Sequence, residues 1–148
     1  MLHAAAMDAD THAHTVVMTP KTAELIRISG HAAAYRLFVL LLGAGTTHFL
    51  APRPYDAIVP ADLPGSARFY TYASGIAELT TGALLLVPRT RRRAGLAAAA
   101  LFVAVFPANL NLVRLWWGKP WAWRAAAIAR LPLQMPMVAQ ALKVWRTT

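Results

Sequence analysis

The chain has 148 residues, 57% of them apolar and only 14% charged, with a mean hydropathy of +0.43; a soluble domain usually carries about 25% charged residues, so the composition points to a membrane protein. The net charge of +9 is no nucleic-acid footprint, because the cations cluster at the ends of apolar segments without a basic stripe or a known binding motif. Absence of cysteine excludes disulfides, thiolate metal sites and a thiol redox pair of the chain's own.

Residues 1–30 read as a flexible tail, mixing Asp8, Asp10, His12, His14 and Pro20 with short alanine runs. A secretory signal would place positive charge ahead of an apolar core close to the start. Here the first cation is Lys21 and the apolar core begins beyond Gly30. His3, His12 and His14 share this tail, but no spacing fixes a metal geometry.

Residues 31–148 read as one all-α unit: an integral membrane four-helix bundle with a structured loop between helices one and two. The first span is expected over His31 to Leu50, around the run Leu37 to Leu42. A spanning helix needs about 20 apolar residues. Gly43 and Gly45 follow the run, and small residues let a neighbouring helix approach closely. From Ala51 to Tyr72 four prolines oppose a long helix, yet Tyr55, Ile58, Val59, Leu63 and Phe69 make the segment more apolar than a purely solvated loop, with a plain connector as the alternative. It is expected to form an ordered cap on the membrane surface, with its tyrosines at headgroup level.

The second span is expected over Ala73 to Val87, closed by Pro88. Arg89, Arg91, Arg92 and Arg93 then form a basic turn, which the positive-inside rule places in the cytoplasm. The third span, Ala94 to Val113, carries Pro107, which removes a helical hydrogen bond and frees a carbonyl for a side-chain amide. Four tryptophans between Trp116 and Trp123 then read as an interface belt. The fourth span, Ala125 to Val144, holds Pro132 and Pro136 and is expected to bend. Both termini fall on the cytoplasmic side.

With the spans alternating in direction, His48, Glu78, Asn109 and Arg130 come to one level, roughly 3 to 8 Å below the outer boundary at about 1.5 Å per residue. An intramembrane polar group costs free energy unless it finds a partner, so four at one depth point to a site. Glu78 and Arg130 are expected to pair, His48 to stand beside Glu78 and relay a proton, and Asn109 to hold a carbonyl or the carboxylate. Donors of this kind under an apolar cap suit a quinone or a small carbonyl compound. Interhelical bonds that only lock a bundle whose role is to position a partner protein, or a transport path for a polar solute, are the alternatives. One histidine and one carboxylate specify no metal.

The chain resembles the DoxX-like family of small bacterial membrane proteins. The resemblance rests on His48-Phe49, Ile58-Val59-Pro60 with Leu63-Pro64, Ser74-Gly75 followed by Glu78, Gly82, Pro88-Arg89-Thr90-Arg91-Arg92 and Phe106-Pro107-Ala108-Asn109. It covers residues 31 to 145. It implies a four-helix bundle in the bacterial inner membrane and an accessory or quinone-interacting role beside a membrane redox partner. Some members of that family are subunits of thiosulfate:quinone oxidoreductase. Any thiol chemistry would belong to a partner, because this chain has no cysteine.

Overall fold

The structure, a computed structural model, describes residues 19–148. His3, His12 and His14 lie outside the described residues, as does most of the expected tail. The described residues form six helices and no strand. They are α1 (Pro20–Leu50), α2 (Pro52–Asp56), α3 (Ala67–Leu86), α4 (Pro88–Ala104), α5 (Phe106–Trp116) and α6 (Trp121–Thr147).

Local chemistry sets most of these boundaries. Thr19 caps α1 by accepting the Thr22 amide at 3.2 Å, and Pro20 occupies the first turn, where a missing N–H costs nothing. α1 therefore begins well ahead of His31, in a polar stretch braced by an Arg27–Glu24 ion pair of 2.7 Å. It ends at Pro52, which drives the preceding Ala51 out of the helical region. Ser66 caps α3 in the same way through the Phe69 amide, so α3 starts at Ala67, ahead of Ala73. Pro88 ends α3 by holding Val87 extended, then opens α4. Pro107 breaks the next rod, and Val105 separates α4 from α5. Pro132 and Pro136 lie within α6, which remains a single helix.

The arginine turn differs from the expectation. Arg89 to Arg93 belong to the first turns of α4, and Arg91 is buried. Its Nε donates to the Leu85 carbonyl at 2.8 Å and an Nη to the Leu86 carbonyl at 3.0 Å. Thr90 donates to the Leu84 carbonyl at 2.8 Å. These residues satisfy the orphan carbonyls at the end of α3, and the Arg91 cation complements that helix terminus.

α1 packs against α3 and α6, and α4 packs against the same two helices, so the long elements close into a ring. The core mixes alanines with larger side chains: Ala33, Leu37 and Leu41 of α1, Leu85 of α3, Ala98 and Phe102 of α4, and Ala141 and Val144 of α6. Many large apolar side chains lie outside it, among them Leu50, Ile76, Val103, Leu133 and Met135. α1 and the run Pro88–Trp116 are each long and apolar enough to cross a membrane.

Two glycines bring α1 and α3 together. A Cβ on Gly75 would stand 2.8 Å from the His48 Cβ and 3.2 Å from the Gly45 carbonyl. A Cβ on Gly45 would stand 2.9 Å from Leu79 and 3.1 Å from the Gly75 carbonyl. Both positions are closed to any larger residue without movement of a helix. Gly43 has open space around it and takes no part in this contact.

Candidate functional site

The close approach of α1 and α3 seats His48 against Glu78. Both are buried at 7% exposure, with Nδ1 of His48 3.3 Å from Oε2 of Glu78. The two are close enough to interact as charges, yet they are not hydrogen-bonded. Nδ1 faces the Ala44 carbonyl at 2.8 Å, an acceptor only, so Nδ1 carries the hydrogen and aims it there. Oε2 of Glu78 is left buried with no hydrogen-bond partner. A buried polar atom of this kind is exceptional in a native fold.

The cap completes the surroundings of His48. Tyr55 of α2 stacks on the imidazole, with ring centroids 3.8 Å apart. Its hydroxyl lies 2.5 Å from Oγ1 of Thr47, which itself donates to the Ala44 carbonyl at 2.7 Å. Thr47 has one hydrogen, so Tyr55 is the donor in their bond. The segment between α1 and α3 is tied down at several points, as expected of an ordered cap. Asp56 accepts from Arg68 Nε at 2.9 Å and from Thr71 Oγ1 at 2.7 Å. Tyr70 donates to the Pro64 carbonyl at 2.7 Å, and Asn111 of α5 donates to the Ile58 carbonyl at 3.1 Å. The Arg68 bond, followed by the Thr71 bond, holds the Asp56 carboxyl below its ordinary pKa of 3.8.

Asn109 belongs to a second pair. Its Nδ2 donates to Oε1 of Gln134 at 3.1 Å, and Nε2 of Gln134 donates to the Phe102 carbonyl. Pro107 lacks the N–H that would have bonded Val103, so the break exposes carbonyls in this turn. A side-chain amide answers it, as the sequence leads one to expect, but the amide is that of Gln134 and the carbonyl is Phe102's.

Arg130 does not pair with Glu78, contrary to the expectation. It is exposed and lines a cavity of about 290 Å³ with Thr47, Pro54, Tyr55, Leu112 and Trp116. The expected single layer of His48, Glu78, Asn109 and Arg130 thus resolves into three places: a His48–Glu78 pair, an Asn109–Gln134 pair, and Arg130 on the cavity wall. Tyr55 joins the first to the third, since it both stacks on His48 and lines the cavity.

Sequence reasoning missed Tyr55, Thr47 and Gln134 as members of the site. Gln134 had a readable signal. It stands seven residues after Ala127 and seven before Ala141, and all three are buried, so a polar residue occupies the inward stripe of α6. Tyr55 had none beyond its place in the cap, because its stacking on His48 depends on how the cap folds back.

Fold and site together define an all-helical protein with a histidine–carboxylate pair buried under a pinned loop. The chain belongs to the family described as Domain of unknown function (DUF8561), whose model matches residues 37–145. The matched segment contains both polar pairs and the cavity. No curated protein and no solved structure matches the chain.

Proposed function

We propose that the chain is an integral protein of the bacterial inner membrane. In this reading four rods cross the bilayer: α1, α3, the α4–α5 run and α6. Both termini face the cytoplasm. The cavity between cap and helices takes a quinone or a similarly small carbonyl compound, and the protein serves as an accessory subunit beside a membrane redox partner. The apolar residues on the outside support the membrane reading, since a monomeric soluble protein rarely exposes so much apolar surface. So do the tryptophans at one end, where Trp117, Trp121 and Trp123 are exposed, and the arginines of α4 at the other. The resemblance to the DoxX-like family points the same way.

The cavity carries the ligand reading. Its volume of about 290 Å³ lies near the lower end of small-molecule sites, roughly 300–1,000 Å³. Its lining is apolar apart from Arg130 and the hydroxyls of Thr47 and Tyr55. Arg130 can donate to a carbonyl oxygen. Tyr55, whose own hydrogen goes to Thr47, can accept from a hydroxyl. A quinone and its quinol present those two groups in alternation. Reduction of a quinone takes two electrons and two protons. The electrons would come from the partner, and His48 with Glu78 lies directly behind Tyr55 as a proton reservoir.

A purely architectural reading is favoured by one observation: in the chain Asn109–Gln134–Phe102 both polar ends of the Gln134 amide are engaged within the fold. The Glu78 oxygen argues against extending that reading to the first pair.

Trp116 in the cavity wall supplies the test. A variant keeping Trp116 as its only tryptophan, titrated with a short-tailed quinone in detergent, is expected to show saturable quenching. Arg130→Leu is expected to weaken it by about tenfold, the loss of one hydrogen bond to a charged group. Linear, non-saturating quenching that is equal in both proteins would rule the cavity out as a quinone site.

A further inference from the structure

A second cavity lies at the other end of the molecule, apart from the site above. It is an open groove of about 450 Å³ lined by Arg92, Arg93, Leu96, Ala97, Ala100 and Trp145. The helical repeat of α4 builds it. Arg92, Leu96 and Ala100 recur at four-residue steps, and Arg93 stands four residues before Ala97, so two guanidinium groups sit above one apolar strip. All five residues are exposed on that face. The Arg92 Nε donates to the Trp145 carbonyl at 3.3 Å, which positions the guanidinium and leaves its terminal nitrogens for another acceptor. Among the described residues no carboxylate side chain lines the groove. From residue 79 onward the chain has ten Lys and Arg and no Asp or Glu. Glu24 of α1 is already bound to Arg27 at 2.7 Å.

We propose that this groove binds an anionic phospholipid, with its phosphate on Arg92 and Arg93 and the first part of one acyl chain along Leu96, Ala97 and Ala100, against Trp145. Charge complementarity selects the anionic headgroup, because two guanidinium groups face the groove and no carboxylate does. The apolar strip selects a lipid over free phosphate. The alanines leave the width that a chain needs, and Trp145 suits the boundary between headgroup and acyl region. The proposal rests on the membrane reading and is independent of the quinone reading.

Native mass spectrometry of the detergent-solubilised protein tests it. The protein is titrated with phosphatidylglycerol, with phosphatidylcholine of the same chains, and with glycerol phosphate. Wild type is expected to retain one phosphatidylglycerol and to hold phosphatidylcholine about tenfold more weakly. Each guanidinium removed is expected to cost about fivefold in phosphatidylglycerol binding, so R92Q/R93Q should lose more than tenfold. Arg89→Gln, in the same turn but outside the groove, should bind as wild type does. Ala97→Trp fills the floor with both arginines in place, and should weaken phosphatidylglycerol binding even if the double variant fails to fold. Equal retention of the two lipids, unchanged binding in R92Q/R93Q or Ala97→Trp, or glycerol phosphate binding as tightly as the lipid would overturn the proposal. Recovery of the protein in the soluble fraction without detergent would overturn the membrane reading instead, and is seen before any lipid is added.

Discussion

Gln134 and Glu78 are both buried polar residues, yet their energetics differ. Gln134 uses both ends of its amide, accepting from Asn109 and donating to Phe102, and so ties α6 to the break between α4 and α5. Gln134→Leu would leave a donor and a backbone carbonyl without partners. The expected loss is about 1–3 kcal/mol, toward the lower end if the site lies in lipid, read as a lower melting midpoint in detergent. Glu78 offers the opposite case, with a buried oxygen that nothing in the fold satisfies. Replacing an unsatisfied buried polar group with an apolar one of similar size is nearly neutral or stabilising. Glu78→Leu is therefore expected to keep or raise the melting midpoint while weakening whatever activity the site supports. A large drop in midpoint for Glu78→Leu, equal to that for Gln134→Leu, would assign Glu78 to architecture alone.

At the scale of elements, the geometry of the His48–Glu78 pair is set by how closely α1 and α3 approach. Gly75→Ala would place a methyl group 2.8 Å from both His48 and Phe49, an overlap that costs about 1–3 kcal/mol and pushes the helices apart. Gly43→Ala meets nothing within 4 Å and, as an exposed helix-interior Gly→Ala change, should be neutral or slightly stabilising. Thermal denaturation of the two variants separates the effects, and equal midpoints would contradict the close contact. The cap depends on Asp56 in its ionised form. Its pKa is lowered by the bonds from Arg68 and Thr71, so those bonds stabilise the cap fully above the unfolded value, near 3.8, and are lost as pH falls through the lower folded value. A spin label at position 62 should therefore stay ordered at neutral pH and gain mobility only below about pH 4. In Asp56→Asn it should be mobile throughout. A label with the same mobility at every pH in both proteins would detach the cap's order from Asp56.

At the scale of the whole molecule, the proposed membrane orientation makes opposite ends accessible from opposite sides. Asp62 lies exposed in the cap and Arg89 is exposed at the start of α4. The chain has no cysteine, so Asp62→Cys and Arg89→Cys each give a single thiol. In intact cells an impermeant maleimide should modify position 62 and spare position 89. The reverse pattern would invert the topology. Labelling of both would show that no bilayer separates them. The core of the ring mixes alanines with Leu37, Leu41, Leu85, Phe102 and Val144, and the alanines permit the close backbone approach that small residues give in helix packing.

The sequence by itself determined the helical class and most of the punctuation. Pro52, Pro88 and Pro107 end or break helices because a missing N–H and a fixed φ act on the chain locally, whatever the rest of the fold does. The same holds for the ordered cap, since four prolines among aromatic residues suit neither a long helix nor a solvated loop. The residues of the polar layer were legible for a similar reason: a lone His, Glu or Asn in an apolar run stands out. His48 beside Glu78 was legible too; the partner of Asn109 and the place of Arg130 were not. Helical periodicity tells which residues share one face of one helix, but not how far that helix is rotated or shifted against its neighbour. The contact of Gly45 with Gly75 fixes that relation for α1 and α3, and it pairs His48 with Glu78. The register of α6 against α4 and α5 gives Asn109 to Gln134 and leaves Arg130 on the cavity wall. The bonds of Arg91 to the Leu85 and Leu86 carbonyls are local, formed across the tight turn at Pro88, yet no sequence pattern marks Arg91 rather than its neighbouring arginines as the residue that folds back.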